Sequence, residues 1–157
     1  MPVLMQAVKS NNFHLVLELI EANKKSINES DESGNWPLII ASYMGYIKIL
    51  ELLLKNGAQL SVLDPSMNAT ALHAAAYAGR SKSARLLIEY GIEIDKQGPI
   101  NGYTALHDAI WQNNIETASV IIRGGANKNI KSHQGETPLD LAKSNGSPEL
   151  VNLFTNN

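Results

Sequence analysis

Residues 68–91, from Asn68 to Gly91, read NATALHAAAYAGRSKSARLLIEYG, and the rest of the chain repeats this stretch. Moved forward by 34 positions, Thr70-Ala71-Leu72-His73 falls on Thr104-Ala105-Leu106-His107, Tyr77 falls on Trp111, and Leu86-Leu87-Ile88 falls on Val120-Ile121-Ile122. Moved back by 34, Leu72 meets Leu38, Ala75 meets Ala41, Gly79 meets Gly45, and the apolar triplet meets Leu52-Leu53-Leu54. Another step back places Leu38 on Leu4 and Ala41 on Ala7, while 33 positions forward of Leu106 lies Leu139, inside Thr137-Pro138-Leu139-Asp140. Five units therefore span the chain, at about 1–30, 31–63, 64–97, 98–131 and 132–157, within a single domain. A period of this length is that of a repeat array, in which each unit buries its apolar face on its neighbours.

The totals agree with one such domain. The chain has 157 residues, of which 44% are hydrophobic, enough for a continuous core. Its 13 basic and 15 acidic residues leave a formal charge of −2, so the basic stripe that phosphate contacts require is missing and nucleic acid is not an expected partner. There is no cysteine, hence no disulfide or thiolate chemistry, which suits a reducing compartment. No stretch approaches the roughly 20 apolar residues of a membrane span, and residues 1–7, MPVLMQA, do not form a secretion signal. The expectation is a cytoplasmic, monomeric protein with no membrane partner.

The units resemble ankyrin repeats, whose signature is a period of about 33 residues with T-P-L-H-x-A near the start of each copy. The resemblance runs from Pro2 to Phe154 and rests on several positions agreeing at once. These are the Leu and Ala of the first helix, the Gly that ends it, the apolar triplet of the second, and the closing Gly57-Ala58 and Gly125-Ala126. It implies an all-α solenoid of about five units, each two antiparallel helices with a short β-hairpin loop, the outer two units acting as caps. First helices and hairpin tips would line a concave groove where partners of the family usually bind.

Several positions depart from the pattern. Trp36 stands where a capping Thr is expected, so α-helix initiation there lacks a side-chain acceptor, and the indole is assigned to packing beside the turn. Asn68 and Asn113 occupy turn positions otherwise held by Gly, which Asn tolerates because it enters the left-handed region more readily than other side-chain-bearing residues. Units three and four carry one extra residue, in Asp64-Pro65-Ser66-Met67-Asn68 and Gln97-Gly98-Pro99-Ile100-Asn101-Gly102, which predicts bulged tips. A hairpin is expected over 24–34, Pro2 is expected at the first helical position, and Asp140 replaces the family's His in the last unit.

Catalytic and metal chemistry find no foothold. His73 and His107 recur 34 apart, but both fall on the His of the family's motif, a structural residue there, and neither has a helical i+4 partner of ligand type. No strand–turn–helix elbow surrounds a serine, and Gly124-Gly125 follows a helix instead of opening one, so nucleophilic and phosphate-cradle sites are not indicated. Asp31-Glu32 reads as solvated charge on a turn. No active site, metal or cofactor is expected.

What remains is a surface. Two outward positions precede the end of each first helix: Tyr43 and Met44, Tyr77 and Ala78, Trp111 and Gln112, Ser144 and Asn145. Three aromatics thus recur at 34-residue intervals, and with units stacked about 10 Å apart they form a ladder. Met67, Ile100 and Tyr103 on the hairpin tips are expected to extend it as exposed apolar side chains. Aromatic residues are favoured anchors of protein interfaces. The reading is therefore a non-catalytic protein–protein interaction module, binding a partner protein as an inhibitor, immunity-type factor or adaptor. A self-associating repeat, or a small-ligand binder or enzyme using the groove, stays open.

Overall fold

The structure is a computed structural model that describes residues 3–155. Ten α-helices follow one another in five antiparallel pairs among the described residues. They are α1 (Val3–Lys9) with α2 (Phe13–Ala22), α3 (Pro37–Met44) with α4 (Ile47–Lys55), α5 (Ala71–Tyr77) with α6 (Ser81–Glu89), α7 (Ala105–Trp111) with α8 (Ile115–Arg123), and α9 (Pro138–Ser144) with α10 (Pro148–Thr155). The odd-numbered helices pack successively on one another as an inner layer, and the even-numbered helices form a second layer behind them.

Two features of composition make this stacking possible. The inner helices are thin: Ala71, Ala75, Ala76, Ala105 and Ala109 are all fully buried, so α5 and α7 can approach closely. The outer helices are amphipathic instead, with Ile49, Leu50, Leu53 and Leu54 making the inward stripe of α4 and Ala118, Val120 and Ile121 that of α8. Together they build one apolar core that runs from Leu4 to Leu150.

Each helix pair turns through a left-handed residue at the same register: Asn11, Gly45, Gly79, Asn113 and Gly146, with φ between 55° and 74°. Asn113 therefore fills the Gly role as expected, and Asn68 does so at a hairpin tip, with φ 50°. At Gly79 the need for glycine is double, because a Cβ there would also lie 2.9 Å from Oδ1 of Asn114.

The tips between pairs contain no strand among the described residues. Each is closed by a single backbone bond across its arms: Asp31 N–H to Asn35 O, Asp64 to Ala69, Gly98 to Tyr103 and Ser132 to Glu136, all 2.8–2.9 Å. One rung is too short for a ladder. In the two tips with an extra residue the inner turn spans four residues, Asn68 N–H to Asp64 O and Gly102 N–H to Gly98 O. In the shorter tips it spans three, Gly34 to Asp31 and Gly135 to Ser132. The insertion is thus absorbed inside the turn.

Two expectations about the first units are modified. Residues 24–34 do not form one hairpin: Lys24–Asn28 is a 3-10 helix, capped by the Asn23 side chain accepting from Lys25 N–H, and it buries Ile27. At Trp36 no side-chain cap is made, and the half-buried indole packs on the core. Helix α3 still starts there because Pro37 occupies its first turn and has no N–H to satisfy. Pro2 lies outside the described residues. Asp31 is buried, not the solvated charge expected on that turn, and anchors the first unit to the second, accepting from Lys9 Nζ (2.8 Å), from Asn35 Nδ2, and from the backbone N–H of Ser33 and Asn35. The lysine ammonium, followed by these hydrogen bonds, holds its carboxyl well below the usual carboxylate range.

Candidate functional site

The starts of the two middle inner helices, α5 and α7, are set by a hydrogen-bond relay. Thr70 Oγ1–H donates to Nδ1 of His73 at 2.8 Å, and Nε2–H of the same ring donates to the Tyr103 carbonyl of the next tip at 3.1 Å. His107 repeats the pattern, with Thr104 Oγ1 at 2.9 Å and the Glu136 carbonyl at 3.2 Å. These partners require the neutral Nε2–H tautomer. Burial correspondingly pushes both imidazoles below their ordinary pKa, only partly offset by the carbonyl each one meets. The two histidines are thus committed to joining units. No group of three or more His, Cys, Asp or Glu side chains able to hold a metal occurs among the described residues. In the last unit Asp140 takes over the capping role, its carboxylate accepting from Thr137 N–H at 3.0 Å and Oγ1–H at 2.7 Å.

The other ends of the inner helices carry the aromatics. Tyr43, Tyr77 and Trp111 are 45%, 52% and 57% exposed, and Met44 beside Tyr43 is also exposed. Their backbones are tied down from the following unit: Arg80 Nε donates to Tyr43 O at 3.0 Å, Asn114 Nδ2 to Ala76 O and Tyr77 O at 2.9 and 3.1 Å, and Asn145 Nδ2 to Ile110 O at 2.7 Å. The acceptors are carbonyls of each helix's last turn, of which Ala76 O and Ile110 O also accept the backbone N–H of Gly79 and Asn113, so the turn bearing the ring is held by the neighbouring repeat. The tie is between units and depends on a reach that spacing alone does not reveal.

On the tips, Met67 and Ile100 are exposed, but Tyr103 is not the exposed strip residue expected of it. It is half-buried against the core, its ring stacked on His107 (centroids 5.1 Å, interplanar angle 15°) and tilted against Trp111 (6.4 Å, 57°). The ring is drawn in because the His107 imidazole, fixed by its own two hydrogen bonds, offers a flat apolar face beside it. Gln112 is likewise half-buried. Beside Trp111 a shallow, open depression of about 470 Å³ lies between the end of α7 and the α9–α10 turn at Asn145, Gly146 and Ser147.

A polar residue missing from the expected set stands among these rings. Asp108 lies one turn before Trp111 on α7 and is half-buried. Burial pushes its carboxyl up to about 7. Tyr103 is shifted upward as well, first by burial and then by the charges of Glu136 and Asp108. The signal for Asp108 was present in the repeat itself, since the equivalent positions 34 and 68 residues earlier and 33 later are Ala74, Ile40 and Leu141.

No described helix is long and apolar enough to cross a membrane. No curated protein matches the sequence. The family model described as Ankyrin repeats (3 copies) matches residues 4–98 and again 61–132, together 4–132 of the chain. Ankyrin repeats generally mediate protein–protein interaction. With five stacked helix pairs, His-capped inner helices and a match over most of its length, the chain belongs to the ankyrin-repeat family.

Proposed function

We propose that the protein is a non-catalytic binding module that holds a partner protein against the ends of its inner helices, acting by occlusion as an inhibitor, immunity-type factor or adaptor. The observation that carries this reading is the row of exposed Tyr43, Tyr77 and Trp111, each on a helix terminus pinned by the next unit. Rings presented on a backbone already ordered lose little entropy on binding, which is how a stiff surface gains affinity. Met44, Met67, Ile100 and Gln112 surround the row, with Tyr103 as its half-buried support. Neither nucleic acid nor a cofactor has a place in this reading, and the module works as a cytoplasmic monomer.

The test is capture from the native lysate by the wild-type chain and by the combined Tyr43→Ala, Tyr77→Ala, Trp111→Ala variant, with circular dichroism to verify that both are folded. A protein held by wild type and lost from the folded variant is the expected result. Equal capture by both would move the binding surface elsewhere. Unfolding of the variant would make the aromatics part of the core and remove the proposal.

A further inference from the structure

Within that surface, and resting on the reading of it as a partner-binding face, we infer that the partner inserts a cationic side chain, arginine or lysine, whose charge is received by Asp108 with Tyr103 and Trp111 as aromatic walls. Three independent features lead there. Asp108 interrupts a row that is apolar in the other units, at Ile40, Ala74 and Leu141, so stacking did not call for a carboxylate. Its carboxylate has no hydrogen-bond donor among the described residues, whereas Asp31 and Asp64 each accept several. The rings beside it are placed for a cation: Trp111 follows at i+3 on the same helical face, and Tyr103 lies 6.4 Å from Trp111 at 57°.

Charge points the same way. Tyr103 feels two carboxylates, Asp108 and Glu136. The groups carried by the flanking helices are His73 on α5 and Asp140 and Lys143 on α9, with Lys131 and His133 on the last tip. Lys131 and Lys143 act on Asp140, whereas burial alone accounts for the shift of Asp108, so no cation among the described residues offsets it. A partly desolvated carboxylate beside aromatic faces is a setting in which an arginine or lysine gains both an ion pair and cation–π contact. A neutral apolar partner side chain would instead bury the carboxylate further without compensating it.

The experiment titrates the 15N-labelled chain at pH 8 with N-acetyl-arginine amide, N-acetyl-lysine amide and the neutral isostere N-acetyl-citrulline amide. Saturable shifts at the Asp108 amide and the Trp111 indole N–H are expected with the two cations. The citrulline probe should bind about tenfold more weakly, and Asp108→Asn should reduce cation binding by a similar factor. Comparable response to all three probes, an unaffected Asp108→Asn variant, or no saturable shift at these positions would each overturn the inference. The broader reading fails differently. Loss of a captured partner by the aromatic triple variant but full retention by Asp108→Asn removes the cation site alone, while full retention by both removes the surface as well.

Discussion

At the scale of single residues, the half-buried carboxylate of Asp108 has a stability cost whose sign follows from its raised pKa. The folded chain holds the proton up to about pH 7, whereas an unfolded aspartate releases it near 3.8. Stability contributed by this group therefore falls as pH rises through that window, and the whole cost is present above pH 7. Asp108→Asn should stabilise the protein at pH 8 by at most about 4 kcal/mol, and the gain should vanish below about pH 4. Thermal melts of both proteins across pH 4–8 provide the check, and an equal difference at every pH would show that the carboxylate is not desolvated. His73 and His107 act in the opposite sense. Their folded pKa values are lowered, so their contribution is full above the unfolded value and is lost as pH falls below it, when protonation of Nδ1 breaks the bond from threonine.

At the scale of elements, the helix pairs share one core and are also joined by side chains that cross to the neighbouring unit. Asn114 is the clearest case, since its amide satisfies the carbonyls of both Ala76 and Tyr77 at the end of α5. Asn114→Ala should cost roughly 1 kcal/mol, because Tyr77 O loses its donor while Ala76 O keeps only the Gly79 N–H, and it should loosen the Tyr77 terminus. Urea unfolding measures the first effect and amide exchange at Ala78 and Gly79 the second; unchanged exchange would mean that α5 is held by packing alone. The apolar spacing of the units made the paired helices legible, whereas the extra residue of the longer tips is absorbed inside the turn where bulged tips were expected. The 3-10 helix at Lys24–Asn28 was not legible, because its apolar content is the single Ile27 and its start depends on the Asn23 cap.

At the scale of the whole molecule, each unit leans on the next, so a defect in the middle weakens both halves of the stack. Leu87 is fully buried in the third unit, and Leu87→Ala should cost roughly 2–5 kcal/mol by leaving a cavity between neighbouring pairs. Chemical denaturation followed by helix signal tests this; a loss under about 1 kcal/mol would mean that the core is not continuous at α6.

The sequence by itself determined the architecture. A repeat carries its own register, and Leu72 with its copies at Leu38 and Leu106 marks core positions without reference to any distant contact. The exposure of Tyr43, Tyr77 and Trp111 was legible for the same reason, since the apolar positions of every helix were already assigned to the core. Only the tertiary structure decided that Tyr103 folds inward onto His107, that Arg80, Asn114 and Asn145 pin the helix ends that carry the rings, and that Asp108 stands near them with no hydrogen-bond donor among the described residues. Periodicity records what each unit shares with its copies; these features arise where one unit's side chain meets another's backbone or ring, at distances that no repeat length encodes.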